Sequence, residues 1–487
     1  MRKIIYSLLL LGALFIVSCN SQKKGKKEKP LFKQIPASES HINFTNHLTF
    51  KKKFNIYTYR NFYDGGGVAL GDVNNDGLLD IYFVSNQDSN KLYLNEGNFH
   101  FKDVTKEAGV AGTHAWSTGV TMADVNGDGL MDIYVCNSGI VKGDNRKNEL
   151  FINQGIGKDG VPHFKEEAAK FGVADSGYSI QASFFDYDRD GDLDLYVLNN
   201  SYKAIGSFNL KLNERHKRNY EGGDHLYKNV NGHFVDVTKK AGIYSSEIGF
   251  GLGATINDYN RDGWPDLYIS NDFFERDYLY INQHNGTFKE ELTHKIGSTS
   301  AASMGADAAD INNDGYPDVF VTDMLPNKQA RLIVNTTFDS WKHYRFLADN
   351  GYYHQFTRNT LQLNNGDGTF SEIGRLAGVD ATDWSWGSLI MDMNNDGRKD
   401  IFVANGIYQD LTNLDYLSHI SQRKVVMSIV QGNQVNYKRL IQMIPSHALP
   451  NAMFVNRGDL QFADSSRAWG LAQPSFSNGS AYGDLNN

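Results

Sequence analysis

Cysteine and proline are scarce in this chain, at 2 and 9 of 487 residues, and no apolar run is long enough to cross a bilayer as a helix. Two cysteines cannot build a disulfide scaffold, and the longest apolar stretch, Ile4 to Val17, falls short of the ~20 residues a spanning helix needs. Positive charge is in the minority too: 48 Lys and Arg face 56 Asp and Glu, a formal net charge of −8 that argues against nucleic acid as the main partner. P-loop, Cys/His zinc spacings and nucleophile motifs are absent from the sequence. What abounds is glycine, at 47 residues, with 26 Tyr and 29 Phe. That balance suits many short strands joined by tight glycine turns, so composition alone predicts an all-β protein.

Charge is spread unevenly. The segment 1–29 is basic, with Arg2, Lys3 and five further lysines against Glu28, so the body of the chain is more acidic than the total suggests. Arg2 and Lys3 precede the apolar run, which ends in Ile16-Val17-Ser18-Cys19. This is the layout of a secretory signal peptide, and its ending resembles the lipobox of bacterial lipoproteins, whose cysteine is acylated after cleavage. The expectation is a signal peptide over 1–19 with lipidation at Cys19, a Lys-rich tether over 20–30, and a folded body over 31–487. Such a protein is exported and held at the bacterial cell envelope, on the outer membrane, because each buried methylene of an acyl chain contributes about 0.8 kcal/mol. Cys136 lies in the strand-like Asp-Ile-Tyr-Val-Cys and reads as a small core residue rather than a nucleophile.

The body repeats itself. Segments beginning at Asp72, Asp124, Asp186, Asp258, Asp310 and Asp392 share D-x-[DN]-x-D-G-x-x-D followed by an apolar strand, and a seventh begins at Asp484 as Asp-Leu-Asn-Asn. Successive first aspartates are 52, 62, 72, 52, 82 and 92 residues apart, so one unit is about fifty residues and the longer intervals carry insertions. A Gly-rich apolar run precedes each loop. After the Asp-Ile-Tyr strand comes a third strand ending in Asn, as in Leu92-Tyr93-Leu94-Asn95, then a fourth such as Phe101-Lys102-Asp103-Val104-Thr105. Four short strands per unit, repeated, describe the blade of a β-propeller.

Each loop offers oxygen side chains at positions 1, 3, 5 and 9, a main-chain carbonyl at 7, and a glycine at 6 for the sharp turn: a cage for a hard cation. The candidate ligands are Asp72, Asn74, Asp76 and Asp80; Asp124, Asn126, Asp128 and Asp132; Asp186, Asp188, Asp190 and Asp194; Asp258, Asn260, Asp262 and Asp266; Asp310, Asn312, Asp314 and Asp318; and Asp392, Asn394, Asp396 and Asp400. An EF-hand needs Glu at position 12, where the first loop has Phe83 inside a strand, so the expectation is about six structural Ca2+ sites on β-hairpins. The alternative is Asp/Asn/Gly turns that need no metal.

These units resemble the FG-GAP/VCBS repeats of integrin α-subunit propellers and of bacterial surface proteins, in particular the bacterial lipoprotein relatives of cartilage acidic protein. There, similar repeats precede an ASPIC/UnbV domain, which this sequence lacks; with the last motif cut short, the sequence reads as a piece of a longer protein. The resemblance implies a seven-bladed propeller, here six complete blades and a partial seventh. Leu31 to Phe44 looks like the fourth-strand motif displaced to the N-terminus, where it can join the last blade.

In an up-and-down blade the acidic loops occupy one face. The long insertions, at about 138–148, 201–224, 323–359 and 406–451, all join second to third strands and decorate the other face, on which integrin-type propellers bind ligands. That face also receives the turns carrying Trp116, Tyr178, Trp384 and Trp386, whose rings suit stacking on a glycan or packing between blades. Leu414, Leu417 and Ile420, at helical spacing, predict a capping helix. The expected function is a ligand-binding or adhesion module for glycan or protein, without a catalytic constellation. The alternative is a glycan-active enzyme such as a polysaccharide lyase, with His343, His354 and Arg358 as the residues an acid–base set could draw on.

Overall fold

The computed structural model describes residues 30–113, 116–139, 146–337, 340–422, 427, 430–431 and 434–486. The expected signal peptide, Cys19 and the tether up to Lys29 lie outside the described residues. Among these residues no helix is long and apolar enough to cross a membrane.

Six four-stranded antiparallel sheets form, each with its strands in sequence order. In blade 1 they are Val68–Gly71, Asp80–Phe83, Lys91–Asn95 and Phe101–Asp103. Blades 2 to 6 begin with Ser117–Ala123, Ser179–Phe185, Gly251–Asn257, Ala306–Ala309 and Ser385–Met391. The acidic loops are the hairpins between first and second strands, in the register Gly71↔Asp80 and Ala123↔Asp132.

Two sequence features build the ring. First strands of neighbouring blades approach closely, which the Gly-rich runs permit: a Cβ on Gly119 would stand 2.3 Å from the Ile180 carbonyl oxygen, and one on Gly305 2.7 Å from that of Trp386. The tyrosine of Asp-Ile-Tyr is buried between blades, its hydroxyl satisfied by a carbonyl, Tyr82 on Val110 at 2.6 Å and Tyr134 on Val173 at 2.9 Å. Apolar clusters thus fill each interface between consecutive blades. Cys136 is fully buried in the cluster between blades 2 and 3, where burial pushes its thiol pKa up, as a core residue's would be.

The segments expected to complete a seventh blade lie between blades 6 and 1 without forming a four-stranded sheet. Gly387 of blade 6 donates its N–H to the Asn478 carbonyl at 3.4 Å. A Cβ on Gly479 would lie 3.0 Å from the oxygen of Gly66. Phe32 donates its N–H to the Trp469 carbonyl at 2.9 Å, and the Phe44 ring stacks on Phe83 at 4.7 Å.

The insertions fall between second and third strands, as expected, and carry the helices Gln329–Asn335, Trp341–Asp349, Leu414–Ser421 and Tyr437–Gln442. A feature not expected is the aromatic segment of Phe54, Tyr59, Phe62 and Tyr63. It packs on Trp116, Met304, Trp384 and Trp386, which come from different blades, and so plugs that end of the ring axis.

Candidate functional site

The acidic loops share one backbone. Position 4 is left-handed (Asn75 at φ 57°, Arg189 at 57°, Asn395 at 56°), and so is the glycine at position 6 (Gly77 at 87°, Gly191 at 97°). The first aspartate closes the turn in every loop: Asp72 accepts the N–H groups of Asp76 and Gly77 at 3.1 and 2.8 Å, and Asp124, Asp186, Asp258, Asp310 and Asp392 do the same. The ninth stitches the loop to the third strand: Asp80 accepts the N–H of Val73 at 2.9 Å and of Asn95 at 2.8 Å. Asp132, Asp194, Asp266, Asp318 and Asp400 repeat this pair of bonds.

Burial is the main cause that pushes the ninth-position carboxyls up, to about 7 for Asp80, Asp194, Asp266 and Asp318 and about 6 for Asp132; the loop's other aspartates add to it and the two backbone donors oppose it. Carboxylates held this way are acceptors in want of positive charge. The donor set is all oxygen, which fits a hard divalent cation and not a soft one. In five loops the Asn at position 3 donates to the Asp at position 5, as Asn74 does to Asp76 at 2.9 Å. Only in the third loop, among the described residues, do three carboxylates converge, with oxygens of Asp186, Asp188 and Asp194 within 4.8 Å of one another. There Lys228 contacts Asp188 and lies 3.0 Å from Asp190, so a lysine partly fills the place of a cation.

A second recurrent residue escaped the sequence reading, although its signal was present: an Asn or Asp immediately before each third strand. Asn90, Asn148, Asp224, Asp277, Asn359 and Asn451 each accept the N–H at or just beyond the end of the second strand at 2.8–3.0 Å. Every insertion therefore leaves and re-enters its blade through one clamp, which lets it grow without disturbing the sheet.

On the insertion face the four singled-out aromatics have different surroundings. Trp116 is 1% exposed and wedged among Phe54, Tyr59 and Phe62. Tyr178 is buried, stacked on Tyr202 at 4.8 Å with the Arg146 guanidinium 4.2 Å over its ring. Trp386 donates its indole N–H to Gly406 at 2.8 Å, and Trp384 and Trp386 both wall a cavity at the mouth of the ring axis. The most exposed ring among the described residues lies in the insertion of blade 5. Trp341 is 72% exposed and stacks on Tyr344 at 5.2 Å, and Tyr344 stacks on Phe356 at 5.7 Å. They border a groove of 910 Å³ that also receives His343, Gln355 and Arg358. The Tyr344 hydroxyl is 2.8 Å from His354 Nδ1, and Arg358 pairs with Glu372 at 2.8 Å.

Six four-stranded blades, each opened by an acidic hairpin loop, define an all-β propeller of acidic repeats. The FG-GAP-like repeat model matches residues 72–135, 258–321 and 346–403. Mouse cartilage acidic protein 1 is 28% identical over 207 residues, 42% of this chain and 28% of that protein. Human integrin alpha-6 is 34% identical over 83 residues, 15% of this chain and 7% of that protein. The chain thus spans well under a third of these relatives' length. Among solved structures, one on recognition of non-reducing terminal N-acetylglucosamine by an Agrocybe aegerita lectin is 14% identical, with a TM-score of 0.42 and 84% of each chain covered. This chain is an FG-GAP-repeat propeller of the integrin-like type.

Proposed function

We propose that this propeller is a glycan-binding module of the bacterial cell envelope, braced by Ca2+ in its six acidic loops, closed as a sevenfold ring and held to the membrane by a lipid on Cys19. The observation that carries the binding reading is the stacked run of exposed Trp341, half-buried Tyr344 and exposed Phe356 beside the groove. Large rings left in water on the face that bears every long insertion are a surface awaiting a partner, and flat rings suit sugar faces. The groove's polar side chains, Thr336, Gln355 and Thr357 among them, favour a glycan over a protein as that partner. Nucleic acid is disfavoured by the acidic body.

Calcium is supported by the all-oxygen donor sets and by the burial of the ninth aspartates. The sevenfold ring is supported by the contacts of Asn478, Gly479 and Phe32, and the lipid anchor by Ile16-Val17-Ser18-Cys19. The test of the binding reading is a glycan array probed with the Ca2+-loaded protein and its Trp341→Ala variant. Wild type should retain a set of glycans that the variant loses at unchanged melting temperature; retention by both alike, or by neither, removes the platform.

The enzyme reading has one observation in its favour, the hydrogen bond between His354 and Tyr344, which lines the same groove as Arg358. A lyase needs a base for the proton beside a uronic carboxylate and an acid for the leaving oxygen, which such a pair can supply. Release of unsaturated products from any glycan the array identifies, abolished by Tyr344→Phe, decides for it.

A further inference from the structure

The cavity at the mouth of the ring axis adjoins the groove, sharing Ile205 and Phe273 with it, but its other walls are different and nothing in the glycan reading depends on it. It encloses about 370 Å³ beneath the helix Leu414–Ser421 and is walled mostly by apolar and aromatic side chains, with Phe273, Trp384 and Trp386 among them. Into this lining come two carboxylates and one guanidinium, from Asp64, Asp272 and Arg60.

Their bonding is lopsided. Among the described residues Arg60 makes no ion pair with either acid: it donates to the carbonyls of Lys203 at 3.1 Å and of Ser201 and to the Asn200 side-chain oxygen at 3.4 Å, and lies over the rings of Phe250 and Phe273 at 4.8 and 5.1 Å. Asp272 is 9% exposed, and its carboxylate accepts one bond, 2.6 Å from the N–H of Phe273. Among the described residues no donor reaches the side chain of Asp64. Burial, then the nearby Asp272, pushes the Asp64 carboxyl up to about 8, with Arg60 opposing, and burial pushes Asp272 up to about 7. The indole N–H of Trp384, also 9% exposed, has no acceptor. A carboxylate held away from water without donors is costly, so a cavity lined by buried Asp272 and half-buried Asp64, both under-bonded, is complementary to something that bonds them.

We propose that this cavity binds a primary organic ammonium with an apolar body of about ten heavy atoms. An ammonium carries three donors and one positive charge, which suits two acids beside a single guanidinium once both are ionised, so binding strengthens as the pH rises through the range where Asp64 gives up its proton. The apolar body packs against the tryptophans and Phe273. A free sugar, polar on every side, fits this lining poorly.

Three probes of nearly equal size separate the terms: 2-phenylethylammonium, 2-phenylethanol and phenylacetate, titrated calorimetrically into the Ca2+-loaded protein. The ammonium should bind at least about tenfold more tightly than the alcohol, and phenylacetate should give no heat, because removing a charge-assisted bond costs that much. Asp64→Asn and Asp272→Asn should each weaken the ammonium by about tenfold or more while leaving the alcohol unchanged. A thermal melt confirms that the variants are folded, and Val235→Ala, exposed on the fourth strand of blade 3, serves as the neutral control. Equal or tighter binding of the alcohol or phenylacetate, no ammonium binding by folded wild type, or full affinity in Asp64→Asn overturns the proposal.

Discussion

Asn95, at the end of the third strand of blade 1, donates its side-chain amide to the carbonyl of Leu485, 390 residues further along, at 3.1 Å. The same tie joins other neighbouring blades: Asn153 reaches Val73, Asn282 reaches Tyr187, Asn364 reaches Tyr259 and Asn456 reaches Ile311, each at 2.8–2.9 Å. All these acceptors stand second in an acidic loop, and Leu485 stands second in the motif that begins at Asp484. The seventh motif therefore sits against blade 1 as the loops at Asp72, Asp186, Asp258 and Asp310 sit against the blades that follow them.

The tie predicts a graded loss. Asn95→Ala leaves the carbonyls of Leu79 and Leu485 without this donor and should cost about 1–3 kcal/mol in urea unfolding. Among the described residues the Asn229 side-chain amide donates only to its own blade's Leu193 carbonyl, at 3.3 Å, so Asn229→Ala should cost less. Equal losses would mean that the tie between blades contributes nothing.

Gly470 makes a second closure. It has φ 90°, and a Cβ there would stand 2.6 Å from the Phe32 carbonyl oxygen, whereas Gly77, at φ 87°, faces open space. Gly77→Ala should therefore cost only the left-handed penalty, about 1–2 kcal/mol, and Gly470→Ala clearly more, because Phe32 must move as well. Comparable melting temperatures for the two variants would show that residues 31–44 do not seal the ring.

Much of this architecture was legible in sequence because each blade repeats the same local chemistry. The Asp/Gly loops, the Asp-Ile-Tyr strand and the third-strand Asn fix hairpins and a buried tyrosine within about fifty residues. The surroundings of single aromatics were not legible. Trp116 is covered by Phe54, Tyr59 and Phe62, which no repeat announces, and a turn's sequence does not show what another segment lays over it. In the insertion of blade 5 the reading fixed on His343, whereas the ring left in water is Trp341, two residues away. The clamp before each third strand was visible as a recurring Asn or Asp, but its role needs the sheet.

The third loop should differ from the others in its calcium response. It has five carboxylates, and Lys228 already contacts two of them. A bound cation must displace that ammonium, so Lys228→Gln should tighten Ca2+ binding at one site by about tenfold, the effect of removing a competing charge-assisted pair. Removing calcium with EGTA should lower the melting temperature of both proteins, since a site filled tenfold over its dissociation constant contributes about 1.4 kcal/mol. Metal analysis with calorimetry checks both; an affinity unchanged by Lys228→Gln would place the ion elsewhere.

Asp64 makes stability depend on pH in a direction opposite to that of a salt-bridged carboxylate. Its folded pKa, about 8, lies above the ordinary carboxyl value of about 4, for the reasons of burial and the neighbouring Asp272. Below about pH 4 the group is protonated in both folded and unfolded chains, and its contribution is fully present. As the pH rises from about 4 to 8 the unfolded chain releases the proton while the folded chain retains it, so stability falls, and above about 8 the loss levels off. Asp64→Asn keeps the shape of the side chain and removes the titration. With Ca2+ saturating throughout, the variant's melting temperature should therefore gain on that of wild type steadily between pH 5 and 8, by a few degrees at the upper end. A difference that stays constant across that range would show that the folded protein leaves the Asp64 carboxyl at its ordinary value, ionised and well solvated at the mouth of the ring.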